Sequence, residues 1–282
     1  YDERHFDANT RSQVEGIKDP VLREKEYVRM LGYVMAQIEE LLTNYGKIDI
    51  LWLDGMDMIG VTDHHNDKIY AWIRSLQPDI VVNDRWHNIV DPDNPDGTSV
   101  RVGDFTTPFE CQKPTYSPSE WWEHCHIWTC GGGGWGYDKT GTFRPMSWFF
   151  DEYVASRSLG GNFLPNASPD GNGEMHPNFY RQTDSLKAWM SHSAESLNGA
   201  GPTPGARLSN VPLTTRGKRV WYAHLLPSFK GQVSVLTNKK PKSVTLLRTG
   251  EPILYEYACG AVIFNLSSAD RTKTDDVVKI IF

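Results

Sequence analysis

Five apolar runs lie in the first 170 or so residues of this chain, four of them stopping at a charged or amide side chain, and stretches of helical period lie between them. The plainest is "IDILWLDGMD" (48–57), where Ile48, Ile50, Leu51, Trp52 and Leu53 are broken only by Asp49 and the run ends on Asp54 before Gly55. A strand this apolar needs cover on both faces, the condition of a parallel sheet flanked by helices. Asp-Gly is also ordinary turn chemistry, so one such ending means little. The ending recurs, however, in "DIVVND" (79–84) ahead of Arg85, in "SVRVGDF" (99–105) and in "GNFLPNAS" (161–168), where a strand is expected over 161–167; a further strand is expected over 124–130 within "WWEHCHIWTC".

The intervening stretches repeat every three or four residues. Val28, Leu31, Val34, Ile38 and Leu41 or Leu42 form one such face, stopped at Gly46, and Ile69, Trp72, Ile73 and Leu76 form another. "MSWFFDEYVASRSLGG" and residues 176–196 also read as helices. Helix alternating with strand predicts parallel βα units, whose chemistry collects at the carboxyl ends of the strands. From about residue 205 the texture changes to short alternating runs, among them "RVWYAHLLPS", "GQVSVLTN", "SVTLLRTG" and "GAVIFNLSS", with Gly, Pro and Asn between them. That pattern predicts a small antiparallel β-sandwich.

The expected class is therefore α/β, a partial (β/α)8 TIM-type barrel of about five βα units followed by a C-terminal antiparallel β-sandwich. The expected domains are a catalytic barrel portion over 1–200 and the sandwich over 205–282, divided within "NGAGPTPGARLSN". A closed barrel needs eight strands, so three units are expected ahead of Tyr1. The strands at 48–54 and 161–167 are then the expected edges, unless residues 1–20 cover one of them.

Bulk properties exclude some functions. The net charge is −6 with no basic run, which argues against nucleic acid as a partner. No run of apolar residues approaches the length of a membrane span. Four cysteines do not make a disulfide framework in a chain of 282 residues. Ten Trp and twelve Tyr serve core packing first, and they also suit a cleft for sugars.

At the strand ends the sequence offers Asp54, Arg85, Glu110, Glu123 and Trp135. Two carboxylates, a cation and aromatic faces are the minimum for glycoside hydrolysis, one carboxylate attacking the anomeric centre and the other delivering a proton. The motifs "YGKIDILWLDG", "QPDIVVNDRW", "GDFTTPFE", "WGYD" and "SLGGNFLPNASPDGNGE", in that order, resemble the α-L-fucosidases of glycoside hydrolase family 29.

The resemblance implies a retaining, exo-acting α-L-fucosidase without metal or other cofactor, acting on fucosylated oligosaccharides or glycoconjugates. It implies Asp54 as nucleophile and Glu110 as acid/base, with Trp52, Arg85, Glu123 and Trp135 as substrate contacts. "TPFE" carries one residue more than the family's usual "TPE", which makes Glu123 the alternative acid/base. The family also points to a secreted, periplasmic or lysosomal-type compartment. Exposed sheet edges would admit homo-oligomerisation.

Two other readings stand beside this one. His124 and His126 form a His-x-His on a strand, the pattern of metal-dependent amidohydrolase barrels. Alternatively the chain binds fucose-like sugars without turnover, or is an inactive fragment. "DHHND" (63–67) is expected to be a solvated helix start rather than a pair of site histidines.

Overall fold

The computed structural model describes residues 14, 16–54, 65–86, 102–205 and 208–282. Residues 1–13, expected as cover for an edge, lie outside them, as do residues 87–101 with the start of the expected third strand. The chain divides into two compact units, 1–107 and 108–282.

In the first unit, helix α1 (Pro20–Asn44) starts where Asp19 Oδ1 accepts from the amides of Val21 (2.9 Å) and Leu22 (3.1 Å). That N-cap satisfies donors the helix cannot use itself, and Pro20 follows where its missing N–H costs nothing. The buried face is Tyr27, Met30, Leu31, Ile38 and Leu42. Val28, expected on that face, is about half exposed and Tyr27 is buried in its stead; of the two expected alternatives Leu41 and Leu42, it is Leu42 that is buried.

Helix α2 (Asn66–Leu76) buries Ile69, Tyr70 and Ile73. His65, in the expected helix start, is its N-cap residue. Strands β1 (Ile50–Leu51) and β2 (Val81–Val82) pair in parallel, Ile50 with Val81 and Leu51 with Val82. They are shorter than the apolar runs that contain them, because side chains take over the backbone bonds at their ends. Ile48 N–H donates to Gln77 Oε1 at 2.9 Å before β1, and Asn83 does the equivalent after it. Beyond β2, Asn83 makes an isolated parallel bridge to Phe105.

The third strand, β3 (Thr106–Glu110), begins after the expected 99–105 run, and the boundary between the units falls within it. Gly103 and Asp104 are instead bends that bond back to β2, Asp104 N–H to Val82 O at 2.8 Å and Val82 N–H to Asp104 Oδ2 at 2.8 Å.

In the second unit β3, β4 (Trp122–Ile127) and β5 (Asn162–Asn166) form one sheet in that order. β4 and β5 are parallel, in register from Glu123–Asn162 to Ile127–Asn166. Helix α3 (Met146–Ser158) connects them and helix α4 (Pro177–Ser193) follows β5. Gly161 is required at the entry to β5, since a Cβ there would lie 2.5 Å from the indole of Trp122.

Antiparallel strands begin with β6 (Leu213–Arg216) and β7 (Val220–Leu225), followed by β8 (Val233–Leu236), β9 (Ser243–Leu246), β10 (Tyr255–Ala258), β11 (Ala261–Phe264) and β12 (Asp276–Ile281). They make two sheets, β6-β7-β12-β9 and β10-β11-β8. Leu213, Leu225, Val244 and Ile280 from one sheet share a core with Val233, Val235, Val262 and Phe264 from the other. That shared layer is a sandwich.

The antiparallel texture starts where the sequence predicts, yet the compact units do not divide there. Phe150, Val154, Trp189 and Leu197 from the helical region pack in one cluster with Tyr222, Leu226 and Val277 of the sandwich. This cluster binds α3 and α4 to the sandwich.

Candidate active site

In the first unit, Trp52, Leu53 and Asp54 continue β1 beyond its last ladder pair. Leu53 is buried, and its backbone is held at both ends by one side chain: Leu53 N–H donates to Asn83 Oδ1 at 2.7 Å, and Asn83 Nδ2 donates to Leu53 O at 2.7 Å. Asp54 then emerges with its side chain 58% exposed. Arg85, just past the end of β2, donates from Nε to Asp54 Oδ1 at 2.8 Å. Its guanidinium lies 5.0 Å from the centre of the Trp52 ring, within the range of a cation–π contact. Three residues assigned from the sequence thus meet at one strand end. Arg85, expected as a sugar ligand, reaches the carboxylate itself.

Arg85 is flanked by Asp84, which is buried and accepts from Thr107 N–H at 3.2 Å. Arg74 closes the opposite side of β2, pairing with Asp104 at 2.7 Å and donating to Ile80 O. These bonds tie the end of β2 to its surroundings, so Arg85 projects from a fixed base.

In the second unit the two glutamates stand at different places along their strands. Glu110 is the last residue of β3 and is exposed; Cys111 turns the chain with φ 53° and donates to Cys125 O at 3.0 Å. Glu123 stands near the start of β4 opposite Asn162, with four residues of the strand still to follow it. Only Glu110 is at a carboxyl end, where parallel βα units keep their chemistry.

Trp135 sits at the carboxyl end of β5. Its carbonyl accepts from Asn166 Nδ2 at 3.0 Å and Ser168 Oγ at 2.5 Å, and its side chain is 42% exposed. The Gly-rich "CGGGGWGY" stretch has a structural reason. Asp138 is buried against it, accepting from Gly131 N–H at 2.6 Å and from the amide and hydroxyl of Thr140. A Cβ on Gly131 would collide with Asp138 and Thr140, and one on Gly133 with the backbone of Tyr137 and Asp138. The Thr140 hydroxyl, with the amides of Thr140 and Gly131, holds the Asp138 carboxyl below its ordinary range despite its burial. Sequence reasoning passed over Asp138, although a glycine run followed by Asp-x-Thr is a loop signal.

The histidines of the metal reading point elsewhere. His124 and His126 both face α3. His124 Nδ1 is 3.1 Å from Ser156 Oγ, its Nε2 is 3.7 Å from Glu152, and its ring stacks on Phe163. His126 meets Trp148 edge-on. Burial, and the neighbouring His126, push His124 down to about 4; burial pushes Glu152 up to about 7. Among the described residues no group of three or more His, Cys, Asp or Glu side chains is placed to hold a metal. No described helix is long and apolar enough to cross a membrane.

The family model described as Alpha-L-fucosidase matches residues 3–195. The tissue alpha-L-fucosidase of Mus musculus is 26% identical over 223 residues, covering 75% of this chain and 46% of that protein. The alpha-L-fucosidase of Dictyostelium discoideum is 24% identical over 193 residues, covering 67% and 38%. The chain thus spans less than half the length of these relatives.

Among solved structures, alpha-L-fucosidase isoenzyme 1 from Paenibacillus thiaminolyticus superposes with a TM-score of 0.75 at 24% identity, covering 90% of this chain and 62% of that one. A Bacteroides thetaiotaomicron GH29 alpha-L-fucosidase, described as a trapped covalent intermediate with 2-fluoro-fucosyl fluoride, gives 0.73 at 18% identity, covering 92% and 62%. The fold class is accordingly that of a partial (β/α)8 barrel followed by an antiparallel β-sandwich.

Proposed function

The chain belongs to the alpha-L-fucosidase family, and from that premise we propose that it serves a retaining exo-α-L-fucosidase that releases terminal α-L-fucose from fucosylated oligosaccharides or glycoconjugates. Asp54 is the nucleophile. Its carboxylate oxygen attacks the anomeric carbon while the bond from that carbon to the aglycone oxygen breaks, and Glu110 delivers its proton to the departing oxygen. Water then attacks the glycosyl-Asp54 ester, Glu110 takes the proton of that water, and fucose leaves with its configuration retained. Trp52 and Trp135 supply faces for the sugar, and Arg85 holds Asp54 until substrate arrives.

The observation that carries this reading is Asp54 itself: an exposed carboxylate at the carboxyl end of a parallel strand, gripped by Arg85 at 2.8 Å beside Trp52. The location of Glu110 at the end of β3, against Glu123 near the start of β4, supports Glu110 as the acid/base. The functional division into a catalytic portion (1–200) and the sandwich (205–282) is part of the proposal.

Incubation with 2-fluoro-fucosyl fluoride tests the nucleophile. The expected result is one covalent adduct per chain, on the peptide that contains Asp54. Labelling of a different carboxylate would remove Asp54 from the role. An unlabelled chain would favour the reading as a fucose-binding or inactive fragment.

A further inference from the structure

Asp54 is exposed and follows a strand that has run out of ladder partners, so something other than the β1–β2 pairing must hold it in place. The pairing stops at Leu51–Val82. Beyond that pair the N–H and C=O of buried Leu53 have no ladder partner on β2, and a buried peptide group left unbonded is costly. Asn83 takes both, its carboxamide donating to the carbonyl and accepting from the amide at 2.7 Å each way. A primary amide is the side chain that can reproduce a peptide group's donor and acceptor together.

Asn83 is itself immobile. It is 0% exposed, and its backbone bridges Phe105 on the side away from Leu53. Its carbonyl accepts from the Tyr70 hydroxyl. Burial first, and the charge of Asp84 second, push that phenol above its ordinary value, so it remains a donor. Gly103 presses on the same residue: a Cβ there would come within 2.9 Å of Asn83 C and O. Phe105, Tyr70 and Gly103 thus hold the backbone of Asn83 while its side chain holds Leu53. Its sequence neighbours point the same way, since Arg85, two residues on, grips Asp54 from the side while Asn83 grips the residue before it.

We infer that Asn83 is a positioning residue for the nucleophile: its carboxamide replaces the missing rung of the sheet at Leu53 and so sets the direction in which Asp54 presents its carboxylate. The inference rests on Asp54 being the nucleophile. Asn83 touches no substrate in this account and acts only through the backbone of Leu53. An error of about 1 Å in placing a reacting group can cost about 100-fold in rate, which sets the scale of the effect.

The test uses Asn83→Asp, which keeps the size and acceptor but loses the donor, with Asn83→Ser read the same way should Asn83→Asp not fold. Ile73→Val, in the buried cluster that holds Leu53 and Tyr70, serves as the destabilised control. Turnover of an aryl α-L-fucoside is measured in whichever of this chain and an amino-terminally extended form is active. Asn83→Asp should lower kcat about 100-fold with KM within about threefold, and speed hydrogen exchange at the Leu53 amide. Ile73→Val should lower the melting temperature and leave kcat unchanged.

The decisive arm adds Asn83→Asp to Asp54→Gly and supplies azide. With no carboxylate to aim, azide-rescued turnover should fall by less than about threefold, since two residues acting as one unit are not additive. An equal loss with and without Asp54 would make Asn83 merely structural and overturn the inference, as would an unchanged kcat. Unimpaired turnover by Asp54→Gly, or no turnover in either form, would instead fell the nucleophile reading, and this inference with it.

Discussion

Two aspartates of this chain each accept a short hydrogen bond from a basic side chain, and they do opposite things. Asp54 accepts from Arg85 at 2.8 Å with 58% of its side chain exposed; Asp275 accepts from His224 Nδ1 at 2.7 Å, and both of those side chains are 0% exposed. The Asp275 pair even extends like a catalytic triad, with His224 Nε2 at 2.9 Å from Thr214 Oγ1. The Thr214 hydroxyl, however, donates to Ser196 O at 2.6 Å and is completely buried, so no substrate can reach it. What this row does is tie β6, β7 and the entry to β12 together, with Trp189 Nε1 bonded to Asp275 O at 2.7 Å. Donor–acceptor geometry alone does not mark a reactive group; access does.

The sharpest way to break the comparison is to remove each carboxylate. Asp54→Gly should cut turnover of an aryl α-L-fucoside at least about a thousandfold, with partial recovery in azide, while a thermal melt shifts little. A variant that keeps near-normal turnover would remove Asp54 from the chemistry. Asp275→Ala should do the reverse. Breaking a buried pair from one side costs about 3–5 kcal/mol, read as a fall in the denaturant midpoint, and no azide effect is expected. If Asp275→Ala melts like the unmodified protein, the buried row contributes nothing to the sandwich.

A smaller effect separates the buried row of the sandwich from the buried face between β4 and α3. There His124 Nε2 and Glu152 Oε2 are buried without a hydrogen-bond partner. Glu152 titrates near 7 against an ordinary 4.5, so the folded state keeps a proton the unfolded state has lost, and this contribution to stability falls as pH rises from 4.5 to 7. His124 titrates near 4 against 6.5, so the folded state binds fewer protons, and its contribution rises over 4 to 6.5. Between 4.5 and 6.5 the two slopes offset. His126, also pushed down by burial, adds to the rising side; Arg144, Lys113 and Asp151 are the other charges acting on these groups.

Each variant should therefore unmask its partner. The stability of Glu152→Gln relative to the parent should climb by about 2–3 kcal/mol between pH 4.5 and 6.5, and that of His124→Asn should fall by a similar amount. Parallel pH profiles for parent and variants would show that these groups do not titrate as described. The smallest effect belongs to a solvent-facing pair within α1. Arg29 and Glu26 on α1 are 2.7 Å apart with side chains 44% and 26% exposed, and Glu26→Gln should cost no more than about 0.5 kcal/mol. A larger loss would blur the contrast between exposed and buried pairs.

Much of the architecture is legible in residue order. The expected runs contain the strands Ile50–Leu51, Val81–Val82 and Asn162–Asn166, the run 124–130 overlaps Trp122–Ile127 but lies two to three residues too late, and the change of texture near residue 205 precedes the antiparallel sheets. The third strand was less legible. "SVRVGDF" has the apolar alternation of a strand, but Gly103 and Asp104 bend to close on β2, and "TTPFE", with a proline in it, makes the strand instead. Within the candidate site, Asp54 and its neighbour Trp52 are plain from the end of the run, whereas the Asn83 clamp is invisible, because it joins residues thirty positions apart through a side chain.

By itself the sequence determined the βα alternation, the sandwich, the family and the carboxylate that closes the first strand, since these depend on hydrophobic period and on motifs read along the chain. Only the tertiary structure decided which carboxylates stand at carboxyl ends. Glu110 closes β3, Glu123 stands near the start of β4, and His124 and His126 turn to α3. It alone brought Arg85 onto Asp54 and Asn83 onto Leu53. The reason is register: a strand's period says which residues share a face, but the rung on which each one sits is set by bonds to strands and helices far away in the chain.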